Sequence, residues 1–185
     1  MTHDDVRDAQ GAVRDLLAAL GEDTTREGLQ ETPMRVVKFL AGLVRPEPFK
    51  LTTFDSEGMS EMIVQTGIPF SSLCEHHMLP FVGTAVVGYI PGAKIVGLSK
   101  LARAVQYCAS GLQNQERVTM RIADMLGEIQ PVGLGVVLRA RHTCMEMRGV
   151  KAIGSWTTTS ELRGAIFDKP EARAEFLALA REGAR

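Results

Sequence analysis

Two short clusters of cysteine and histidine constrain this chain more than any other feature, because their side chains suit one shared metal ion. The first is Cys74-Glu75-His76-His77, and the second is His142-Thr143-Cys144. Cys74 and His77 are three residues apart and can reach one ion from a turn, and Cys144 can supply a third ligand from elsewhere in the fold. The chain must then fold so that two segments far apart in sequence meet.

Three ligands leave the fourth position of a tetrahedral zinc site open. Structural zinc sites are closed by four protein ligands, whereas catalytic sites keep three and admit water. The pattern therefore predicts a catalytic metal, with His76 and His142 left for proton transfer.

The alternative for Cys74 and Cys144 is a disulfide formed when metal is lost. The chain has three cysteines, and an odd count argues against a disulfide framework. The third, Cys108, lies near the apolar stripe of a predicted helix and is interpreted as a small buried hydrophobic residue.

Composition places the chain among ordinary globular proteins. It has 185 residues, of which 45% are hydrophobic and 23% charged, enough for one core and a small appendage. The formal net charge of −1 gives no general attraction to nucleic acid or to an anionic membrane.

The N-terminus is acidic and lacks the apolar segment of a signal peptide, and no run approaches the roughly 18 apolar residues of a membrane span. We therefore expect a cytoplasmic protein.

Apolar periodicity divides the chain into a helical opening and a mixed remainder. Helical spacing predicts an N-terminal helical appendage over residues 1–45, and two prolines with scattered charges predict a linker over residues 46–60. Strand patterns, a pair of helices and further strands follow across residues 61–185. This order predicts an α+β fold in which two long helices cover one face of an antiparallel sheet.

The last long strand pattern bears directly on the site. Alternation over residues 133–144 puts His142 and Cys144 on an apolar side, and Arg139 and Arg141 on the other. Metal ligation and proton transfer are more effective where water is scarce. Alone, His142 could be a core imidazole bonded to a carbonyl, but its place two residues from a candidate ligand favours a functional role.

Further short motifs, taken with the two clusters, resemble one enzyme family. In chain order these motifs are Gly21-Glu22-Asp23, Arg26-Glu27-Gly28-Leu29, Glu31-Thr32-Pro33 with Arg35, Gly97-Leu98-Ser99-Lys100, Gln115-Glu116-Arg117 and Met147-Arg148-Gly149. Each motif alone is weak evidence. Together, and in this order, they resemble the GTP cyclohydrolase I family.

The resemblance implies an enzyme that converts GTP and water to formate and 7,8-dihydroneopterin triphosphate, the first step towards tetrahydrofolate or related pterins. It implies that Cys74, His77 and Cys144 bind one zinc ion per subunit. It also implies that His76 and His142 are the catalytic acid and base groups near the imidazole ring of guanine. Zinc lowers the pKa of bound water to about 7, which suits hydrolysis at neutral pH.

Substrate contacts also follow from the resemblance. Glu116, with Gln115, would recognise guanine, since a carboxylate can accept hydrogen bonds from its ring and amino donors. Contacts to the triphosphate or ribose are assigned to Lys38, Ser99, Lys100, Arg103 and Arg148. The chain has no Gly-x-x-x-x-Gly-Lys-Ser/Thr loop, consistent with phosphates that pass through uncleaved. Without the resemblance, each cation would be interpreted as a solvated surface charge.

The architecture of the family is the tunnelling fold, in which antiparallel sheets from several subunits join into a barrel and active sites form between neighbours. The resemblance implies a homo-oligomer, a decamer of two pentameric rings, without nucleic-acid or membrane partners. Because the long N-terminal extension of some relatives is missing, we expect no regulatory partner protein. The sequence itself favours self-association, since a strand with apolar residues on both faces, as in residues 81–90, needs cover.

Two other functional classes stay open at this point. One is another zinc-dependent purine hydrolase or a deaminase, although the His-x-Glu with Pro-Cys-x-x-Cys pattern of cytidine deaminases and the His-Glu-x-x-His motif are both missing from the sequence. The other is a non-enzymatic binding module that zinc holds together.

Overall fold

Three helices form the N-terminal part of the chain. The structure, a computed structural model, describes residues 2–182, and its packing separates a first unit that ends at Arg45 from a second unit that begins at Pro46. The helices of the first unit are α1 (His3–Ala19), α2 (Glu27–Gln30) and α3 (Thr32–Val44). Helix α1 begins at a capping box, in which Thr2 and Asp5 exchange two hydrogen bonds of 2.8 and 3.1 Å.

A five-stranded sheet is the framework of the second unit. Its strands are β2 (Ile63–Cys74), β3 (Pro80–Ile90), β5 (Leu112–Gln113), β6 (Gly133–His142) and β7 (Thr157–Gly164), in the spatial order β5-β2-β3-β6-β7. Neighbouring strands are antiparallel, apart from the short parallel pair of β5 and β2. The predicted α+β class is therefore confirmed. No helix within residues 2–182 is both long and apolar enough to cross a bilayer.

A small two-stranded ribbon pairs β1 (Thr53–Asp55) with β4 (Lys94–Val96). Strand β1 lies inside residues 46–60, which the composition predicts as a linker. The threonine and aromatic residues of this stretch suit a strand, and Phe49 and Leu51 pack against the main core of the second unit. The division into an appendage, a linker and a catalytic domain over residues 61–185 stays a prediction.

Two long helices, α4 (Leu98–Ala109) and α5 (Gln115–Gly127), cover one face of the sheet. Successive side chains of a strand point to opposite faces, so Ala85, Val87 and Tyr89 of β3 lie in the main core beneath these helices. Val86, between them in sequence, lies in a second and smaller core. Residues 85–89 of β3 are therefore buried on both faces of the sheet.

The second face of the sheet is covered by α7 (Ala165–Asp168) and α8 (Pro170–Glu182), whereas the sequence analysis expects helices on one face only. Phe176 of α8 is fully buried against Gly88 and Gly135, which are cross-strand partners in β3 and β6. A Cβ atom at Gly88 or Gly135 would lie 2.8 or 2.6 Å from the Phe176 ring. We call this pair the glycine slot, because the absence of two side chains makes room for the aromatic ring.

The glycine slot predicts that Gly135→Ala destabilises the protein. The added methyl group would stand 2.6 Å from the Phe176 ring, so the ring or the strand must move, at a cost of about 1–3 kcal/mol in free energy of unfolding. Chemical denaturation followed by far-ultraviolet circular dichroism measures this change.

Gly127→Ala in α5 is the matched control. The nearest neighbour of its added methyl group would be the Arg163 guanidinium at 3.9 Å, and alanine favours a helix by up to about 1 kcal/mol relative to glycine. Gly127→Ala should therefore be neutral or stabilising. Equal changes in the free energy of unfolding for the two substitutions would contradict the claim that Phe176 needs the space left by the glycine slot.

Candidate active site

The first cluster lies at the tip of the hairpin between β2 and β3. Cys74 ends β2; its amide donates to the Leu79 carbonyl at 2.8 Å, and its carbonyl accepts from the Met78 amide at 2.8 Å. Met78 has a φ of 53°, in the left-handed region that non-glycine residues seldom adopt. These bonds close a tight turn that holds the side chains of Cys74 and His77 near each other.

The second cluster begins where β6 ends. His142 is the last residue of β6 and lies opposite Phe81, and Cys144 lies in the following helical turn, α6 (Thr143–Glu146). The sequence analysis predicts a strand through residue 144, and this is wrong by two residues. The Thr143 hydroxyl donates to the Pro80 carbonyl at 2.6 Å, next to the last pair of the ladder, so a side chain replaces the backbone pairing of a longer strand. A helical turn, and not strand alternation, therefore positions Cys144.

Three candidate ligands meet between the two segments. The ligand atoms of Cys74, His77 and Cys144 all lie within 4.8 Å of one another, and Cys74 Sγ is 3.8 Å from His77 Nδ1. In a tetrahedral site with zinc–sulfur bonds of about 2.3 Å, neighbouring ligand atoms stand roughly 3.7 Å apart. We call these three residues the metal cluster. His76 Nδ1 is also 3.8 Å from Cys74 Sγ, but His76 does not belong to the cluster.

The cysteines of the metal cluster are free thiols, as is Cys108. Burial and the adjacent Cys74 thiol raise the pKa of Cys144. Two neighbouring thiolates would repel each other, whereas a bound cation stabilises both in the ionised form. The pair is therefore suited to a metal ion. Burial raises the pKa of Cys108 to about 11, which supports its interpretation as an unreactive core thiol.

The metal cluster borders a pocket of about 300 Å³. The hairpin tip, the end of β6 and the start of α5 form its walls, and these segments bring His76, His142, Gln115 and Glu116 to the pocket along with the metal cluster. A volume of this size is at the lower end of the range for small-molecule sites. Residues from three separate segments thus line one cavity.

His142 is held on two sides within this pocket. Its ring stacks on Phe81, with ring centroids 4.7 Å apart and an interplanar angle of 7°, and its Nε2 atom lies 2.8 Å from Gln115 Oε1. Burial lowers the pKa of His142, and the negative charge of Glu116 opposes part of this effect. The ring is therefore neutral at neutral pH and able to accept a proton. The side chain of His76, in contrast, is 68% exposed.

Glu75 ties the hairpin tip to the start of α5. Arg117 donates to its carboxylate at 2.6 and 3.2 Å, and the Asn114 side chain donates to it at 2.9 Å. Asn114 also caps α5 by accepting from the Arg117 amide at 2.8 Å. Hydrogen bonds from Arg117 and Asn114 hold the pKa of Glu75 below its usual value. Its carboxylate is 3.9 Å from His76, so its short contacts fix α5 and not the histidine.

The sequence analysis does not predict two residues of the site, Phe81 and Asn114. Phe81, which stacks on His142, is one apolar residue among many in a strand pattern, so no local signal separates it from the core. Asn114 has the residue type that favours a helix N-cap, but its bond to Glu75 joins residues that only the fold brings together. Contacts between residues that are far apart in sequence give no recognisable spacing pattern.

The residues that the resemblance assigns to the substrate differ in their surroundings. Glu116 is exposed on the pocket wall. Gln115 lines the same pocket but is only 1% exposed, and its side-chain amide is bonded within the protein. The Arg148 guanidinium contacts Nε2 of His77, next to the metal cluster.

Three other assigned residues lie outside the pocket lining. Ser99, Lys100 and Arg103 occupy the first part of α4, and Ser99 and Arg103 are exposed and four residues apart on one face. The residues that line the pocket within the described chain include none of these three. Lys38 is exposed on α3 of the first unit. Their role in phosphate or ribose binding stays a prediction.

Comparison with known proteins places the chain in a family. A sequence profile of GTP cyclohydrolase I matches residues 9–181. A relative from a Synechococcus strain, named GTP cyclohydrolase 1, is 50% identical over 177 residues, covering 92% of this chain and 77% of the relative. Relatives of the same name from Halalkalibacterium halodurans and a Hydrogenobaculum strain are 49% and 47% identical, covering 92% and 90% of this chain and 94% and 92% of their own lengths. The chain therefore belongs to the GTP cyclohydrolase I family and is an enzyme of that type.

Proposed function

We propose that this enzyme hydrolyses GTP at carbon 8 of guanine, releases formate and forms 7,8-dihydroneopterin triphosphate, the first step of tetrahydrofolate or pterin biosynthesis. One observation carries the proposal: a metal cluster with three ligands borders a pocket that also presents two further imidazoles. Hydrolytic opening of an aromatic ring needs an activated water and groups that move protons. Membership of the family supports GTP as the substrate.

The donor set of the metal cluster fits zinc, and we propose that it binds one zinc ion per subunit. Two thiolates and an imidazole are ligands that zinc favours. When bound, zinc supplies a Lewis acid that brings the pKa of a coordinated water to about 7. Among residues 2–182, no fourth histidine, cysteine, aspartate or glutamate joins the cluster, which supports a catalytic site over a closed structural one.

His142 and His76 are the proposed proton-transfer groups. Neutral His142 can accept a proton from the attacking water and return it to a nitrogen of the opening ring. The stacked Phe81 ring, 4.7 Å away, shields one face of His142 from water and holds its plane. His76 lines the same pocket but is largely exposed, so it can exchange protons with solvent between steps.

Glu116 is the proposed guanine-recognition residue. Guanine presents a ring N–H and an amino group on one edge, and the two oxygens of a carboxylate can accept both hydrogen bonds. Adenine lacks this pair of donors, so the contact selects guanine. Glu116 also lies in the first turn of α5, where the helix dipole favours a negative charge.

The triphosphate and ribose are proposed to contact Lys38, Ser99, Lys100, Arg103 and Arg148. These residues supply cations and a hydroxyl that can hold phosphates without cleaving them. Because the pocket of one chain is small and Ser99, Lys100 and Arg103 lie outside its lining, we propose that neighbouring subunits complete the site. The residues on α4 would then face a neighbouring copy.

The proposed assembly is a homodecamer with the tunnelling fold, located in the cytoplasm. Met147, Val150 and Ile153, in the segment between α6 and β7, are 73–81% exposed. Strand β7 is the last strand of the sheet and has one unpaired edge. Exposed apolar side chains and an open sheet edge both favour association with another copy.

Incubation with GTP tests the proposed activity. The purified protein should release formate together with a pterin that becomes fluorescent after oxidation. Removal of zinc with a chelator should abolish turnover and leave the far-ultraviolet circular dichroism nearly unchanged, because a catalytic ion does not hold the fold together. Formate without pterin would indicate a different ring-opening hydrolase. Unfolding after chelation, without turnover before it, would indicate a zinc-stapled binding module.

Cys144→Ala should leave the protein with almost no bound zinc, because it removes one of three ligands. Cys108→Ala is the matched control: it removes a buried thiol outside the metal cluster and should keep one zinc per chain. Metal analysis after gel filtration measures the stoichiometry. Full zinc occupancy in the Cys144 variant would contradict the ligand assignment.

His142→Ala should keep one zinc per chain and lower kcat by about 10²- to 10⁴-fold, the range expected for a general acid–base group. His3→Ala changes an exposed histidine of α1 and should retain full activity. Steady-state kinetics and zinc analysis on the same samples separate the two roles. Loss of zinc on replacing His142 would show that this residue is a ligand.

A further inference from the structure

Hydrogen bonds of the Gln115 side chain fix the orientation of its amide group. The two hydrogens of its nitrogen are shared among three acceptors: the carbonyls of Leu138 and Thr157, at 3.2 and 3.1 Å, and the Thr159 hydroxyl at 3.1 Å. Carbonyl oxygens only accept, so a flipped amide would set oxygen against oxygen at two places. The Gln115 oxygen must therefore face His142, whose Nε2 lies 2.8 Å away.

Two neighbouring threonines agree with this orientation. The Thr119 hydroxyl donates to the backbone carbonyl of Gln115 at 2.8 Å, and a hydroxyl has only one hydrogen to donate. The 2.7 Å bond between Thr119 and Thr159 must then be donated by Thr159. The Thr159 oxygen is left to accept from the Gln115 amide, so every bond of this network has one possible direction.

The network determines which nitrogen of His142 carries the proton. A neutral imidazole has one N–H and one lone pair. Because Gln115 Oε1 can only accept, the N–H must be at Nε2 and the lone pair at Nδ1. No protein group within residues 2–182 hydrogen-bonds to Nδ1, while the stacked Phe81 ring holds the imidazole plane. Nδ1 is thus the nitrogen that is available for chemistry.

We propose that Gln115 is a positioning residue that fixes His142 as the Nε2–H tautomer, so that Nδ1 takes up and returns the proton during catalysis. Protonation at Nδ1 gives an imidazolium whose Nε2–H stays bonded to Gln115, and release of the Nδ1 proton restores the starting state. This assignment replaces the guanine contact that the resemblance implies for Gln115, because the amide is already bonded within the protein. The catalytic part rests on the proposed function, whereas the tautomer does not.

Solid-state ¹⁵N NMR of the full-length, zinc-loaded protein with labelled histidine tests the tautomer directly. The chain has only four histidines, and the spectrum of His142→Ala identifies the resonances of His142. At about pH 8, where imidazoles are neutral, we expect a protonated Nε2 and an unprotonated Nδ1. An Nδ1–H tautomer or a mixture would overturn the proposal. Because this result needs no turnover, it is independent of whether GTP is the substrate.

Gln115→Met tests the positioning role, because it keeps an unbranched side chain of similar length but removes the acceptor. We expect kcat to fall at least about tenfold, with KM for GTP changed less than about threefold. A contact to guanine would instead raise KM, and that result would overturn the proposal. Gln113→Met is the matched control. Gln113 lines the same pocket but donates to the backbone carbonyl of Ser110 and not to His142, so this substitution should leave the ¹⁵N resonances of His142 unchanged.

Thr159→Val tests the same network if Gln115→Met fails to fold, as judged by circular dichroism. It removes one acceptor of the Gln115 amide and the donor to Thr119. The His142 resonances should shift, and kcat should fall while KM for GTP stays the same. Unchanged resonances and unchanged kcat would overturn the proposal.

Discussion

The register between β3 and β6 is the constraint on which the whole site depends. It sets Phe81 opposite His142 at one end of the ladder and Gly88 opposite Gly135 near the other. A slip of one residue would move His142 to the opposite face of the sheet and would separate the two glycines. The aromatic ring of α8 fits only where both glycines lie together, so packing on one face of the sheet fixes the position of a histidine on the other.

The start of α5 then joins two segments that are distant from it and from each other in sequence. Glu75 binds it to the hairpin tip through Asn114 and Arg117, and Gln115 binds it to the end of β6. Buried polar groups are costly unless they are bonded, and the bonded pair of Gln115 and His142 lines the pocket. The contacts of His142 with Gln115 and Phe81 lie entirely within the protein, so the fold itself holds this proposed proton-transfer group in place, which favours catalysis.

Sequence reasoning finds the parts of this protein that repeat along the chain or carry distinctive chemistry. Spacing predicts that Cys74, His77 and Cys144 meet, and the structure brings them together, although their ligation of zinc stays a prediction. Periodicity predicts the long strands and helices. It does not predict the helical turn at Cys144 or the bonding of Gln115, because both depend on contacts between residues far apart in sequence. The same limit applies to the second covered face, since two isolated glycines give no periodic signal.

X-ray absorption at the zinc edge tests the central claim most directly, because the claim is a metal with three protein ligands and one open position. The purified, zinc-loaded protein should show two sulfur ligands at about 2.3 Å, one imidazole nitrogen at about 2.0–2.1 Å and one additional light ligand from solvent. A third sulfur or a second imidazole in the coordination shell would close the site with protein side chains. That result would contradict the account.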